Sequence, residues 1–455
     1  MIDVTAQLST FAVMSDVDDV PSPVKKEATR ALVNWVGCAL GGCREPATEI
    51  ALATAMDLSG KAEATIIGRS ERLDLVSAAE INCLSSSVHA YDDTHLATVT
   101  HPTGPVAAAI LALAERQKVS GKEFLHALIL GIEIECRLAA MLTVSPAHCN
   151  LGFYMTGLTG AIGAAAAAGR LLGLDCERMI NALGIGSIQG AGFRETHATM
   201  CSGLVPALAA RNGLYAALLS ARGFTCSPRS LESAKGFAGV FGTPSNPLAA
   251  VAGLGEGYNL LATTYKPYPC GIVIHPAIDA CLNIASDNQF QSIDVVQVKL
   301  EVHPLALDLT GLKLPRTGLE AQISIFHWAA AALLYRRATL IEAGDACVCD
   351  PRTIALRSRV VASRNAEVAR EEASAEVVLR DGTRFHSHIR ACRGSVERPM
   401  TDPELDAKFM AQALHILPRN QSIELLALCR GIEILEDVGP SFRNAAAVAR
   451  VSQHG

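Results

Sequence analysis

The stretch Lys266–Pro276, which reads KPYPCGIVIHP, marks the point where the pattern of the whole chain changes. Its closely spaced prolines interrupt regular structure, so we expect a boundary between two domains here. Before this boundary, residues 22–266 carry apolar residues at helical spacing. After it, strand patterns alternate with helices up to about residue 399. The sequence therefore predicts a large all-α domain followed by a smaller α+β domain.

The helical prediction depends on capping residues and on small side chains. Ser120, with Glu123 three places on, forms the capping-box pattern of a helix start. Thr103 is expected to cap the helix that it opens. The segment 156–175, TGLTGAIGAAAAAGRLLGLD, is rich in alanine and glycine. Such small residues let neighbouring helices approach closely, so this segment is predicted to be a central buried helix.

The part after the boundary shows a different periodicity. Ile293–His303, IDVVQVKLEVH, alternates apolar and polar residues as a strand does. Gly318–Arg337 returns to helical spacing, and Asp381-Gly382 predicts a hairpin turn. The predicted division is an all-α domain of residues 1–266 with 400–455, and an α+β lid domain of residues 267–399.

Composition excludes several classes of protein. The chain has 455 residues, of which 50% are hydrophobic and 18% charged, which excludes a disordered chain. A net charge of −6 argues against partners such as nucleic acid or a membrane surface. No apolar run reaches the roughly 18 residues of a spanning helix, and no signal peptide is expected. The 14 cysteines are scattered without CxxC pairs, so a reducing cytoplasm is predicted.

Three polar clusters remain after the common nucleotide, zinc-protease and serine-hydrolase motifs are found to be absent. The first is HAYDDTHLATVTHPTGP, His89–Pro105, for which three interpretations stay open: a capped loop, an organic active site and a metal site. The second surrounds Tyr154 at the mouth of the small-residue helix; it is either a ligand contact or a core tyrosine. The third places Lys266 and His275 at the domain junction, in a pocket or in a rigid linker.

In this order and at this spacing, the clusters resemble those of the MmgE/PrpD family. The resemblance extends over nearly the whole chain and is most specific in KPYPC with His275 five places after Cys270. It implies a large all-α domain with a chorismate-mutase-like α+β lid, a homodimer and no required cofactor. No residue is assigned as a metal ligand. The resemblance also implies an enzyme of a family that contains dehydratases, decarboxylases and an iminodisuccinate epimerase.

The sequence departs from the family pattern at positions that serve the lyases. Those enzymes typically read LDxDDT, GFHxTG and TKxLHxGxAA. The corresponding residues here are Ala90, Tyr154, Ser202 and Val205. Since polar groups of the usual lyase mechanism are missing, the resemblance is taken as nearest to iminodisuccinate epimerase. The expected function is thus an isomerase: a cofactor-independent epimerase or racemase of an anionic amino-dicarboxylate.

Epimerisation beside a carboxylate needs two acid/base groups on opposite faces of the substrate. The catalytic candidates are Tyr154 and Lys266, followed by His101 and His275. Burial at the junction is expected to lower the pKa of Lys266, and a nearby cation to lower that of Tyr154. The candidate substrate-binding residues are Asp93, Thr94, Arg194, Lys313 and Arg316, beside the helix start at Thr317-Gly318.

Two other functions stay open at this point. The alternative within the family is a hydro-lyase or decarboxylase of a tricarboxylate, of the 2-methylcitrate dehydratase or cis-aconitate decarboxylase type. A non-catalytic binding protein that kept the cleft is the third. The expected partner in all three cases is a small anionic carboxylate.

Overall fold

The computed structural model describes residues 2–448, and within them the chain is mainly α-helical. Met1 and residues 449–455, which belong to the predicted all-α domain, lie outside the described part. The first helices are α1 Val4–Met14, α2 Ser22–Gly42, α3 Pro46–Leu58, α4 Leu75–Ser87, α5 Thr103–Ala114, α6 Gly121–Thr143, α7 Met155–Leu171, α8 Cys176–Ser187, α9 Cys201–Ala221, α10 Phe237–Phe241 and α11 Pro247–Val251. Short strands accompany them: β1 Ala64–Thr65, β2 Arg72–Leu73, β3 Asp93–His95 and β4 Thr263–Tyr265.

Helix α7 lies at the centre of this helical part, as its small residues predicted, and packs against α6 and α9. A Cβ on Gly163 would meet the Gly131 carbonyl oxygen of α6 at 2.7 Å. A Cβ on Gly213 of α9 would meet the Ala161 carbonyl oxygen at 2.6 Å. Both glycines are thus required for the backbones to approach this closely.

The predicted start of α6 is confirmed, and the predicted cap of α5 is wrong. Ser120 and Glu123 form both hydrogen bonds of the capping box. Thr103 is instead the first residue of α5, and its hydroxyl donates to the Asp93 carboxylate. The Thr103 side chain, expected from the sequence to cap α5, therefore orients Asp93 of the first polar cluster instead.

The α+β part contains a four-stranded sheet in the order β6-β5-β7-β8, with β5 and β6 parallel and the other pairs antiparallel. Its apolar core is separate from those of the helical part. The elements are α12 His275–Asp287, β5 Val295–Val302, α13 Pro304–Thr310, α14 Gly318–Ala321, α15 Ile325–Tyr335, α16 Leu340–Ala343, α17 Asp345–Val348, α18 Pro351–Arg357, β6 Val360–Arg364, β7 Ala373–Leu379 and β8 Arg384–Ile389.

Two predictions for this part can be compared with the structure. The hairpin turn is confirmed, since Gly382 has a φ of 88° between β7 and β8. The single helix expected over Gly318–Arg337 is wrong, because it is divided into α14 and α15. Ser324 interrupts it and caps α15 by accepting from the His327 backbone N–H.

The chain returns to the helical part through α19 Asp402–Ala413, α20 Arg419–Arg430 and α21 Val438–Ala446. Helices α19 and α20 pack against α2, and α21 packs against α5. The exact domain limits given above stay a prediction. Helix α9 is long and apolar enough to cross a membrane, but half of its most apolar window is buried inside the protein. A core helix meets the same criteria, so α9 is weak evidence for a span.

Candidate functional site

A short two-stranded ladder joins two of the polar clusters that lie far apart in the sequence. Strand β3 pairs antiparallel with β4, so that Thr94 lies opposite Thr264 and Asp93 opposite Tyr265. The Thr264 hydroxyl also donates to the Thr94 carbonyl, with 2.7 Å between the oxygens. This pairing places the residue before β3, Asp92, beside the residue after β4, Lys266.

Lys266 forms a buried ion pair with Asp92. Its Nζ lies 2.8 Å from Asp92 Oδ1 and 3.1 Å from the Ala90 carbonyl oxygen, and the lysine is only 2% exposed. Ala90 has a φ of 47°, an uncommon conformation for a residue with a Cβ. An amine that is held by a carboxylate and a carbonyl oxygen has the geometry of a donor, so the structure favours Lys266 as a proton donor over the predicted base.

His101 is held in the tautomer that leaves Nε2 free to accept a proton. Its Nδ1 donates to the Asp93 carbonyl oxygen at 2.7 Å, and the Thr94 Oγ1 lies 3.2 Å away. The same Nδ1 is 3.7 Å from Asp92 Oδ1. Burial lowers the pKa of His101 to about 4, so the imidazole is neutral at neutral pH. His101 therefore fits a general base.

Asp93 supports this arrangement through its backbone rather than its carboxyl group. The carboxylate accepts a hydrogen bond from Thr103 at 2.6 Å. Burial, reinforced by the charge of Asp92, raises the pKa of Asp93 to about 7. Asp93 and Thr94, predicted to contact the substrate, are buried and do not line the cavity described below.

Tyr154 lies between two histidine rings at the start of α7. Its ring centroid is 5.9 Å from that of His101 and 4.9 Å from that of His197, with near-perpendicular ring planes. Burial raises the pKa of the Tyr154 hydroxyl well above its ordinary value. The expectation of a lowered pKa is therefore wrong, because no nearby cation outweighs the loss of solvent.

His275 belongs to the core below the site. It is fully buried, lies edge-on to Tyr268 at 5.2 Å between ring centroids, and does not line the cavity. Neither ring nitrogen has a hydrogen-bonding partner of ordinary geometry. Burial lowers the pKa of His275 well below its usual value. It is thus placed to support the Lys266 segment rather than to reach a substrate.

A cavity of about 70 Å³ brings the remaining candidates together. Lys266, His101, Tyr154 and Arg194 line it, and the Arg194 Nε donates to the Phe153 carbonyl oxygen at 3.1 Å. An outer pocket of about 710 Å³ lies next to this cavity and shares four lining residues with it: Arg194, His197, Leu309 and Ile323. The inner cavity and the outer pocket together form the candidate active site.

Two predicted substrate-binding cations lie elsewhere. Lys313 is exposed and lines neither the cavity nor the outer pocket. Arg316 is also outside both, with a side chain that is 85% exposed and paired with Glu320 at 3.0 Å. At the predicted anion-binding helix start, the Gly318 N–H already donates to the Asp345 carboxylate at 2.6 Å. These residues are therefore not carried into the proposed site.

Sequence reasoning missed Asp92 and His197 as members of the site. Asp92 belongs to the first polar cluster, but the sequence assigns it no role of its own, although a buried lysine requires a partner and an adjacent aspartate pair supplies one. His197 stands alone in the sequence, and only the fold brings it to Tyr154. Within residues 2–448, no group of three or more His, Cys, Asp or Glu side chains is arranged to hold a metal ion.

Comparison with known proteins changes the predicted reaction. The chain is 25% identical to cis-aconitate decarboxylase of Aspergillus terreus over 465 aligned positions, which cover 96% of this chain and 94% of the relative. It is 25% identical to cis-aconitate decarboxylase of Homo sapiens, covering 91% of this chain and 88% of the relative. The mouse protein of that name is 26% identical, with 86% and 84% covered. The prediction of an isomerase is wrong, because these relatives are decarboxylases. They favour the decarboxylase or hydro-lyase alternative.

The family itself is shown by two matches that together span most of the chain. The model of the MmgE/PrpD N-terminal domain matches residues 6–248. The model of the MmgE/PrpD C-terminal domain matches residues 268–431. The point between the two matches falls next to the proline-rich boundary at Lys266. The chain therefore belongs to the MmgE/PrpD family.

Proposed function

We propose that this protein is a lyase that decarboxylates or dehydrates a small polycarboxylic acid. The observation that supports it most directly is one acid and one base in the same cavity. The Lys266 ammonium and the neutral His101 imidazole are both oriented by Asp92 and its neighbouring backbone. The relatives are cis-aconitate decarboxylases, which makes cis-aconitate the first substrate to test.

The two residues fit either bond cleavage. In decarboxylation, the C–C bond breaks, carbon dioxide leaves, and its electron pair stays on the substrate as a carbanion; Lys266 then gives a proton to that carbon. In dehydration, His101 Nε2 removes a proton from carbon and Lys266 protonates the departing hydroxyl, so that water leaves. Arg194 would bind a substrate carboxylate and offset the developing negative charge.

Several finer features belong to the same proposal. We propose a homodimer in the cytoplasm that needs no cofactor, as the family resemblance implies. The α+β part would act as a chorismate-mutase-like lid over the helical part. The outer pocket, which contacts residues of both parts, such as Phe193 and Asp308, would then be the route of entry.

The test follows reaction products from the purified protein by NMR. Cis-aconitate, 2-methylcitrate and dicarboxylic acids of the same chain length are incubated separately, and release of carbon dioxide or formation of a new C=C bond is measured. We expect the wild type to convert one of these acids, and His101→Gln to lose at least about 100-fold in rate if the reaction is a dehydration, in which His101 is the base. Conversion of none of the acids would overturn the proposal, and so would an unchanged dehydration rate in folded His101→Gln.

Tyr154→Phe is expected to lower kcat/KM by less than about 10-fold. Since burial raises the pKa of the hydroxyl, the group stays protonated and contributes at most one hydrogen bond to the substrate, worth about 1 kcal/mol. Steady-state kinetics would measure the change, with Phe153→Leu as a neighbouring control for packing at the same helix start. A loss of 100-fold or more would instead place Tyr154 among the catalytic acids.

A further inference from the structure

The candidate active site offers few cations to an anionic substrate. Among the described residues that line the inner cavity, Lys266 and Arg194 are the only ones with a lysine or arginine side chain. Lys266 is already paired with Asp92 at 2.8 Å. Arg194 forms no ion pair with another residue of the described chain, so the cavity carries about one uncompensated positive charge.

The histidines do not add to this charge. His101 and His197 both line the cavity, and burial lowers the pKa of each to about 4. Both rings are therefore neutral at neutral pH. The outer pocket adds Glu195, and Asp308 that is paired with Arg364, to the shared Arg194. Among its described lining residues there is no further lysine or arginine, so a substrate that extends outward from the cavity gains no additional cation.

The wall of the inner cavity is mostly apolar or small. Ala90, Val99, Ala198, Ile272 and Val273 form much of its surface. The cavity therefore offers an apolar surface to one group of the substrate, such as an alkyl group. A carboxylate placed there without a partner would be strongly unfavourable.

We propose that the substrate has at most two ionised carboxylates. At the position where a tricarboxylate carries its third carboxylate, this substrate carries an alkyl group. Arg194 would bind one carboxylate. The Lys266 ammonium would bind the other carboxylate, which is next to the reacting carbon. The alkyl group would occupy the apolar wall formed by Ile272 and Val273. This inference rests on the proposed lyase function and narrows its substrate class.

The test compares two saturated acids that cannot react, so binding is measured independently of turnover. Propane-1,2,3-tricarboxylate and 3-methylglutarate share a skeleton and differ only in the central carboxylate or methyl group. Calorimetry at pH 7, where the carboxylates are ionised, would measure both dissociation constants. We expect 3-methylglutarate to bind at least about 10-fold more tightly, because the third carboxylate finds no cation.

A charge-insertion variant makes the comparison specific. Ser202 lines the cavity, and Ser202→Lys should improve binding of the tricarboxylate relative to 3-methylglutarate by at least about 10-fold. Ala366→Lys adds the same charge at an exposed position that lines neither the inner cavity nor the outer pocket, and should leave the ratio unchanged. Tighter binding of the tricarboxylate by the wild type would overturn this inference alone. Binding of neither acid would overturn it together with the proposed polycarboxylate lyase.

Discussion

Replacing Lys266 by methionine should lower kcat/KM by at least about 100-fold on whichever acid the wild type converts. The Lys266 ammonium group is the proton donor of the proposed mechanism. It is held in place by the Asp92 carboxylate, with 2.8 Å between Nζ and Oδ1. Loss of a positioned general acid typically costs about 100-fold to 10,000-fold in rate. Steady-state kinetics on the purified variant would measure this loss, with exposed Lys313→Met as the matched control.

The same substitution should also destabilise the protein, and the two effects must be separated. Removing Lys266 leaves the Asp92 carboxylate buried without its partner, which costs about 3–5 kcal/mol. Adding Asp92→Asn removes the second charge, so the double variant should recover most of the stability lost on denaturant unfolding. Its activity should stay low if Lys266 is the acid. A double variant that regains both stability and activity would show that Lys266 has only a structural role.

The fold could largely be predicted because its signals are local. Ser120 and Glu123 define a helix start within four residues, and the alternation in Val295–Val302 defines a strand by itself. The errors arise where a side chain forms its hydrogen bond with a residue outside its own helix or strand. Thr103 has the sequence pattern of a cap, but its hydroxyl donates to the carboxylate of Asp93 in β3, ten positions earlier in the chain.

The site was harder to predict because its parts meet only in three dimensions. Lys266 and His101 were identified from their motifs, while the partner that decides their chemistry, Asp92, is 174 positions away from the lysine. Charge alone was misleading as well. Arg316 looks available to a substrate in the sequence, yet Glu320 one helical turn later pairs with it on the surface.

Both residues of the ion pair are held by one tyrosine, Tyr91, which is held in turn by a buried lysine. Tyr91 precedes Asp92 in the chain, and its hydroxyl donates to the carbonyl of Pro267, the residue after Lys266, at 3.1 Å. Its own carbonyl accepts from Lys408 Nζ at 2.7 Å, and its ring lies 3.9 Å below that ammonium. Lys408 of α19 thereby fixes the positions of the proposed acid and of its carboxylate.

This position is costly for Lys408 itself. The side chain is buried and forms no ion pair with any described residue; its other hydrogen bond goes to Asn34 Oδ1 at 2.7 Å. Burial lowers the pKa of Lys408 to about 8. The folded state therefore loses this proton as the pH rises through about 8, while the unfolded chain keeps it until near 10.4. Wild-type activity should fall on the alkaline side as Lys408 loses its charge.

Lys408→Met is thus expected to lower activity with little change in stability. Replacing the buried charge by an apolar side chain of similar length removes a desolvation cost, which offsets the loss of the hydrogen bonds to Tyr91 and Asn34, so thermal stability should stay nearly unchanged. The rate should still fall by at least about 10-fold, because Tyr91 is released and Asp92 no longer holds Lys266 in place. Thermal unfolding and the pH profile of kcat/KM would test both effects. The fall near pH 8 should be absent in Lys408→Met, and Lys408→Gln, which keeps a hydrogen-bond donor, should restore part of the rate. A folded Lys408→Met with wild-type kcat/KM and an unchanged pH profile would show that Lys408 has no role in positioning the site.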